Sequence, residues 1–287
     1  MKRNLLSEIQ ERKSGFSKSQ KIISDYILNN YDKAAYMTAS KLGGTVKVSE
    51  STVVRYAIEL GFEGYPEFQH ALQEIVRTKL TSFQRMEVTD SLIGEGDVLS
   101  KVLLSDIDKI RRTVEDIDRG AFEAAVESLV TAKNIYILGL GSASVLANAL
   151  NHSLRMIFDN IKFVVATSGT EIYEQMMSIG DGDVIVAISF PRYSKKVINA
   201  VAFAKKSGAD VIALTDSEAS PIASDADQAL FARSDMASFS DSLVAPLSVI
   251  NALVVAVSRK KREELTVRLH QLESIWEEFN VYDTNQG

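Results

Sequence analysis

Serine and threonine hydroxyls gather where four short apolar runs end, and that pattern carries much of the chemistry in this sequence. They are Ser142 and Ser144, Thr167 and Ser168, Ser189 and Ser194, and the stretch from Thr215 to Ser217. The first pair follows Gly139-Leu-Gly141, glycines placed where a strand turns into a helix and the backbone can approach an anion. Arg192, inside Ser189-Phe-Pro-Arg-Tyr-Ser194, adds a planar cation able to grip phosphate through two hydrogen bonds. Hydroxyls arranged over helix N-termini suit a phosphate joined to a polyol, because each can both donate and accept. Gly141, Ser142, Ser144, Ser189, Arg192 and Ser194 therefore form the candidate anion site. The competing account is that each hydroxyl simply caps the helix it precedes, and Ser194 alone reads as such a cap. A dinucleotide fits less well. Its fingerprint wants a third glycine where Ser144 stands and an acid at the end of the second strand, where Thr167-Ser168 stand; Asp159 precedes that strand.

The elements that must position these groups are legible from periodicity. Residues 135–138, 162–165, 183–188 and 210–214 are apolar, β-branched runs, with a shorter one at 228–232. Helical segments at 143–158, 170–179 and 194–207 separate them. Strands apolar throughout and alternating with helices predict a parallel sheet covered on both faces, a doubly wound α/β domain. Ligands of such sheets bind at the carboxyl ends of the strands, so the four hydroxyl loops should converge. Amphipathic helices at 97–114 and 122–130 precede the sheet, and helices at 241–260 and 263–279 close the domain.

The first 80 residues read as helices only. Ser17 and Gln20 form a capping box before Ile22, Ile23, Tyr26 and Ile27. Thr38 opens a helix over 39–42 that Gly43-Gly44 should stop, and Ser49 opens a second over 50–60 with Val53, Val54, Ala57, Ile58 and Leu60 inward. Gly61 follows as a helix-ending glycine, and Pro66 starts a last helix over 66–80. A short helix, a glycine turn and a capped second helix have the dimensions of a helix-turn-helix, whose second helix enters the major groove by its N-terminal residues. Those residues are Ser49, Glu50, Ser51, Thr52, Arg55 and Tyr56, with Lys41 and Lys47 placed for phosphates. A small helical dimerisation module has the same spacing. Residues 81–96, with two glycines and no periodicity, read as a linker between a 1–80 domain and a 97–287 domain.

Composition bounds the chemistry. The chain has 287 residues and no cysteine, which excludes disulfides, thiolate nucleophiles and Cys-ligated metal. Its three histidines are scattered, so neither a metal site nor a cofactor is expected. The net charge is −6, yet residues 1–80 carry 12 basic against 9 acidic side chains, a surplus of +3, and the remainder carries −9. No apolar stretch is long enough to span a membrane; 243–257 is interrupted by Pro246, Ser248 and Asn251. His152 reads as a buried, hydrogen-bonded histidine, Glu171 as an acid complementing a helix start, and Trp276 as core or dimer packing. The basic run 259–262 reads as a solvated helix end.

Thr38-Ala-Ser-Lys-Leu, Val48-Ser-Glu-Ser-Thr-Val-Val-Arg-Tyr56 and Leu60-Gly-Phe-Glu-Gly-Tyr-Pro-Glu-Phe-Gln69 together resemble the N-terminal helix-turn-helix of RpiR-type regulators. Leu138-Gly-Leu-Gly-Ser-Ala-Ser144 and Ile188-Ser-Phe-Pro-Arg-Tyr-Ser194 are similar to the sugar isomerase (SIS) domain that follows it in that family. The resemblance covers nearly the whole chain. It implies an all-α N-terminal helix-turn-helix domain followed by a doubly wound αβα SIS domain. It further implies a bacterial cytoplasmic regulator whose partners are operator DNA and a phosphorylated sugar, acting as a homodimer or homotetramer. On this resemblance Ser142, Ser144, Ser189 and Ser194 match SIS ligand positions. SIS enzymes commonly read Ser-x-Ser-Gly-x-Thr at the second loop; here Pro191, Arg192 and Ser194 replace the second serine, the glycine and the threonine, a regulator-like variant. The alternative function is a sugar-phosphate (aldose–ketose) isomerase with an accessory helical domain. It needs a base near C1 and C2, for which Glu171 and His152 are the candidates.

Overall fold

The computed structural model describes residues 5–79, 81–94, 96–166, 168–235 and 238–282, so Thr167 of the predicted hydroxyl set lies outside the described residues. The chain divides into two compact units, Met1–Gly96 with Met236–Ser240, and Asp97–Asp235 with Asp241–Gly287.

The first unit is helical. Helix α1 (Leu5–Arg12) leads into α2 (Lys18–Asn29), whose Ser17–Gln20 capping box forms as its sequence predicts. A single turn, α3 (Tyr31–Ala34), precedes α4 (Ala39–Val46), α5 (Glu50–Glu59) and α6 (Tyr65–Lys79). Ile9, Ile23, Ile27, Leu42, Val53, Phe68 and Leu72 meet in one apolar core. Two expectations fail here for stated reasons. Gly43-Gly44 does not stop α4, which continues to Val46 and ends where Lys47 adopts a left-handed φ of 57°. Gly43 instead permits a close approach, because a Cβ there would lie 2.8 Å from the Val48 carbonyl oxygen. Nor are residues 81–96 without regular structure. They contain helix α7 (Ser82–Ile93), begun by a Thr81–Gln84 capping box and ended at Gly94, so the first glycine terminates a helix rather than interrupting one.

The second unit begins with α8 (Val98–Asp116) and α9 (Arg119–Thr131), each capped by the aspartate before it. Five strands then alternate with helices: β1 (Ile135–Gly139), α10 (Ala143–Arg155), β2 (Ile161–Val164), α11 (Gly169–Met176), β3 (Val184–Ile188), α12 (Lys195–Lys206), β4 (Asp210–Thr215) and β5 (Gln228–Phe231). Helices α13 (Val244–Lys260) and α14 (Arg262–Glu278) follow. The sheet runs β2-β1-β3-β4-β5, and all four pairings are parallel. Side-chain alternation along the strands divides the core. Ile135, Ile137, Val184, Val186, Ile212 and Leu230 join residues of α9, α10 and α13 on one face. Tyr136, Leu138, Ile185, Ala187 and Val211 join α11 and α12 on the other.

Candidate functional site

In the strand order 2-1-3-4-5 the chain turns one way from β1 to reach β2 and the other way to reach β3, which opens a crevice between the carboxyl ends of β1 and β3. Gly139 pairs with Ile188 in register, so the loops carrying Ser142–Ser144 and Ser189–Ser194 leave the sheet side by side, strands about 4.8 Å apart. Helices α10 and α12 start from these two loops and pack on opposite faces of the sheet. Both N-termini, the positive ends of their helix dipoles, therefore flank one crevice.

Ser142 and Ser194 occupy the N-cap positions of α10 and α12, and neither side chain bonds the helix it begins. Ser168, at the end of the edge strand β2, does cap: its Oγ accepts from the Glu171 N–H, and the Glu171 carboxylate accepts from the Ser168 N–H at 3.1 Å. The capping expectation for Ser194 is thus wrong. Gly141 carries a left-handed φ of 63° at the bend, and the Ser144 hydroxyl donates to the Gly141 carbonyl at 2.7 Å, closing the loop.

Ser189 is buried and bound through its backbone: its N–H donates to Leu214 O, and its carbonyl accepts from Thr215 Oγ1 at 2.7 Å. Thr215 also bonds Ser220 Oγ at 2.7 Å and is fully buried, so its hydroxyl serves the loop and not a ligand, contrary to the sequence expectation. Arg192 is exposed, with a left-handed φ of 61° unusual for a side chain of its size. Its guanidinium has no partner among the described residues. The next residue, Tyr193, donates through its hydroxyl to Asp216 Oδ1 at 2.8 Å, and Asp216 is buried at the end of β4. The Ser189–Ser194 loop is therefore held at both ends, with Arg192 presented between. The Tyr193–Asp216 tether was missed in the sequence, where only hydroxyls were counted at that strand end.

The two isomerase candidates fare differently from their expectations. Glu171 is engaged in the Ser168 capping box. His152 is exposed rather than buried, because the inward stripe of α10 runs through Leu146, Ala147, Leu150, Asn151 and Leu154 and leaves it outside. It lies in the last turn, roughly 15 Å along the helix from Ser142 at 1.5 Å per residue. Trp276 is not in a core: α14 has no buried residue, and the indole stacks edge-on against Tyr282 at 5.3 Å. The run 259–262 is a solvated helix junction, Lys260 pairing with Glu127 and Lys261 with Glu264.

In the first unit, Ser49 caps α5: its Oγ accepts from the Thr52 N–H at 3.3 Å and also meets Ser51 Oγ and Thr52 Oγ1. Lys47, Ser49, Glu50, Ser51 and Arg55 are exposed and Thr52 is half-buried. Arg55 Nε donates to the Ser51 carbonyl at 3.2 Å, which lays the guanidinium along the helix start. Tyr56 does not belong to this surface. It is wholly buried, its hydroxyl 2.9 Å from that of the equally buried Ser24 and its ring edge-on to Phe16 and Phe68. Burial pushes its phenol up to about 12, against the lowering influence of Ser24 and Arg12. Ile58, expected inward, faces water instead, one helical stripe from Ser51 and Arg55.

Among the described residues no group of His, Asp or Glu has the arrangement of a metal site, and no helix is long and apolar enough to cross a membrane. Residues 3–79 match the model of the rpiR-family helix-turn-helix domain, and residues 128–256 match the SIS domain. An uncharacterized HTH-type transcriptional regulator of Clostridium perfringens is 30% identical over 221 residues, covering 76% of this chain and 77% of that protein. The HTH-type transcriptional regulator HexR of Escherichia coli is 28% identical, covering 79% of this chain and 77% of its own. Among solved structures, the sugar isomerase domain of an RpiR transcription factor from Sphaerobacter thermophilus aligns with a TM-score of 0.58 at 26% identity, over 61% of this chain and 97% of that one. The Vibrio vulnificus NanR protein, complexed with ManNAc-6P, aligns over 96% of this chain and 99% of its own, with a TM-score of 0.60 at 24% identity.

Proposed function

The chain belongs to the RpiR family of helix-turn-helix transcriptional regulators that carry a SIS domain, and from that premise we propose how it works. The crevice between β1 and β3 binds the phosphate of a phosphorylated sugar, and occupancy alters the grip of α5 on operator DNA in the cytoplasm. The observation that carries this reading is the pair of uncapped helix starts. Ser142 and Ser194 leave their hydroxyls free of the helices they begin, at one crevice with the positive ends of α10 and α12 and with Arg192 beside them. A dianionic phosphate there takes backbone N–H bonds, hydroxyl bonds and a guanidinium together. Sugar hydroxyls then fall toward Ser144 and Ser189. The NanR protein, complexed with ManNAc-6P, supports the same ligand class.

The DNA-reading surface is Lys47, Ser49, Glu50, Ser51, Thr52 and Arg55, with Ile58 added as an apolar group suited to a thymine methyl. Two copies reading half-sites about 34 Å apart supply the affinity that one weakly basic unit lacks. The second unit acts as a sensor rather than an isomerase, since Glu171 is engaged in a helix cap and His152 stands at the far end of α10. The test is a thermal-shift screen of the full chain against sugar phosphates, followed by gel retardation of DNA selected from a random pool. A ligand at 100 times its dissociation constant raises stability by about 2.7 kcal/mol. Turnover of any sugar phosphate overturns the sensor reading; absence of any shift overturns the ligand class.

A further inference from the structure

The chain passes between its two units at 96–97, at 235–236 and at 240–241, because the residues between β5 and α13 send their tip, Met236–Ser240, into the first unit. There the buried Thr89 of α7 donates to the Ser238 carbonyl at 3.4 Å. Arg85, one turn earlier on α7, is buried as well. A helix that buries an arginine and a threonine packs against polar groups, and this carbonyl is one of them. The two ends of the excursion stay in the second unit and are closed there. The Ser242 N–H donates to Asp235 O at 3.0 Å, and Ser234 Oγ donates to Ser242 O at 3.1 Å.

The base of this loop is fixed on two sides. Towards the sheet, the Ala232 N–H donates to Thr215 O at 2.8 Å, and Thr215 Oγ1 holds the carbonyl of Ser189 at the head of the loop that presents Arg192. Towards α8, the Arg233 N–H donates to Thr113 Oγ1 at 2.9 Å, its guanidinium pairs with Asp116, and Ser242 Oγ donates to Asp106 at 2.7 Å. The buried Lys109 completes that cluster, its Nζ bonding Ser105 Oγ at 2.7 Å and Asp106 at 3.3 Å. The cluster accounts for the burial of Lys109 and Thr113 by α8, the helix entered directly after the first crossing. We propose that residues 232–243 are the strap through which sugar-phosphate occupancy reaches the DNA-reading unit. A shift of the Ser189–Ser194 loop moves Thr215 and Ala232, the cluster on α8 fixes the base about which the loop turns, and the tip bears on α7. Coupling of this kind runs through contiguous bonded groups, and each link from Ser189 to Thr89 is a hydrogen bond or the chain itself.

The inference rests on the proposed function, and two readouts keep their failures apart. The first is DNA retardation with and without the sugar phosphate of largest thermal shift, for the full chain, for a variant with Met236–Ser240 replaced by two glycines, and for Ser242→Ala. The Asp235–Ser242 closure keeps the shortened loop anchored. The two-glycine variant is expected to retain its ligand-free DNA affinity and its sugar-phosphate affinity and to lose the response of one to the other, which in allosteric proteins is about 5- to 150-fold. Ser242→Ala, which keeps the chain length, is expected to shrink that response. The second readout is amide exchange along α7, which should change on adding the same sugar phosphate to the wild type and stay constant in the two-glycine variant. An undiminished response in the two-glycine variant, loss of either of its basal affinities, or exchange in wild-type α7 indifferent to the sugar phosphate overturns the proposal. Exchange in α7 that responds while DNA affinity does not supports the strap and overturns the regulatory reading.

Discussion

In the first unit, Thr38, Ser49 and Thr81 each receive a backbone N–H of the helix they begin; in the second, Ser142 and Ser194 hold the same position and receive none. Among the described residues, every other helix begun by serine, threonine or aspartate is capped by that side chain, including α8, α9 and α11 of the second unit. The difference therefore follows location and not domain or residue type. Helix starts that only have to fold use their hydroxyls internally. The two starts that flank the strand-order reversal do not, forgoing about 1 kcal/mol of capping each, and in the proposed function they leave the hydroxyls to a ligand.

Four substitutions test this difference between helix starts. Arg192→Gly keeps a left-handed backbone while removing the guanidinium; calorimetric titration should show sugar-phosphate affinity reduced about 30-fold, in the range of a charge-assisted hydrogen bond. Equal affinity would detach Arg192 from the site. Gly43→Ala forces a methyl toward the Val48 carbonyl and should cost about 2 kcal/mol in urea unfolding of the first unit, leaving ligand binding intact. Tyr56→Phe strands the buried Ser24 hydroxyl and should cost about 1.5 kcal/mol, yet DNA retardation by the folded protein should be unchanged. Altered base preference would return Tyr56 to the reading surface. Ser49→Ala should lower first-unit stability by about 1 kcal/mol, whereas the same change at Ser142 or Ser194 should lower second-unit stability by only a few tenths.

Much of the architecture was legible because its determinants are local. The Ser17–Gln20 box, the five apolar runs and the glycine bend at 139–141 each state their own conformation. The exposure of Lys47, Ser49, Glu50, Ser51 and Arg55 around one helix start was also legible. What failed depended on neighbours distant in sequence. Gly43-Gly44 reads as a stop until Val48 is seen against Gly43. Tyr56 and Ile58 exchange their expected places because Ser24, Phe16 and Phe68 surround the first while the second stays half exposed. Residues 81–96 lack an apolar stripe, but the Thr81–Gln84 box nucleates a helix regardless. The Asp216 tether joins residues 23 positions apart on adjacent loops, and no periodicity records it. The free state of Ser194 is of the same kind. A serine before a helix looks identical in sequence whether it caps or waits.

The most direct test of the account is one measurement on the Ser142→Ala, Ser194→Ala double variant: its unfolding midpoint with and without the sugar phosphate that stabilises the wild type. Free hydroxyls at the crevice predict a midpoint unchanged in the absence of ligand and a ligand-induced rise that disappears. A midpoint several degrees lower without ligand, or a rise as large as that of the wild type, would contradict it.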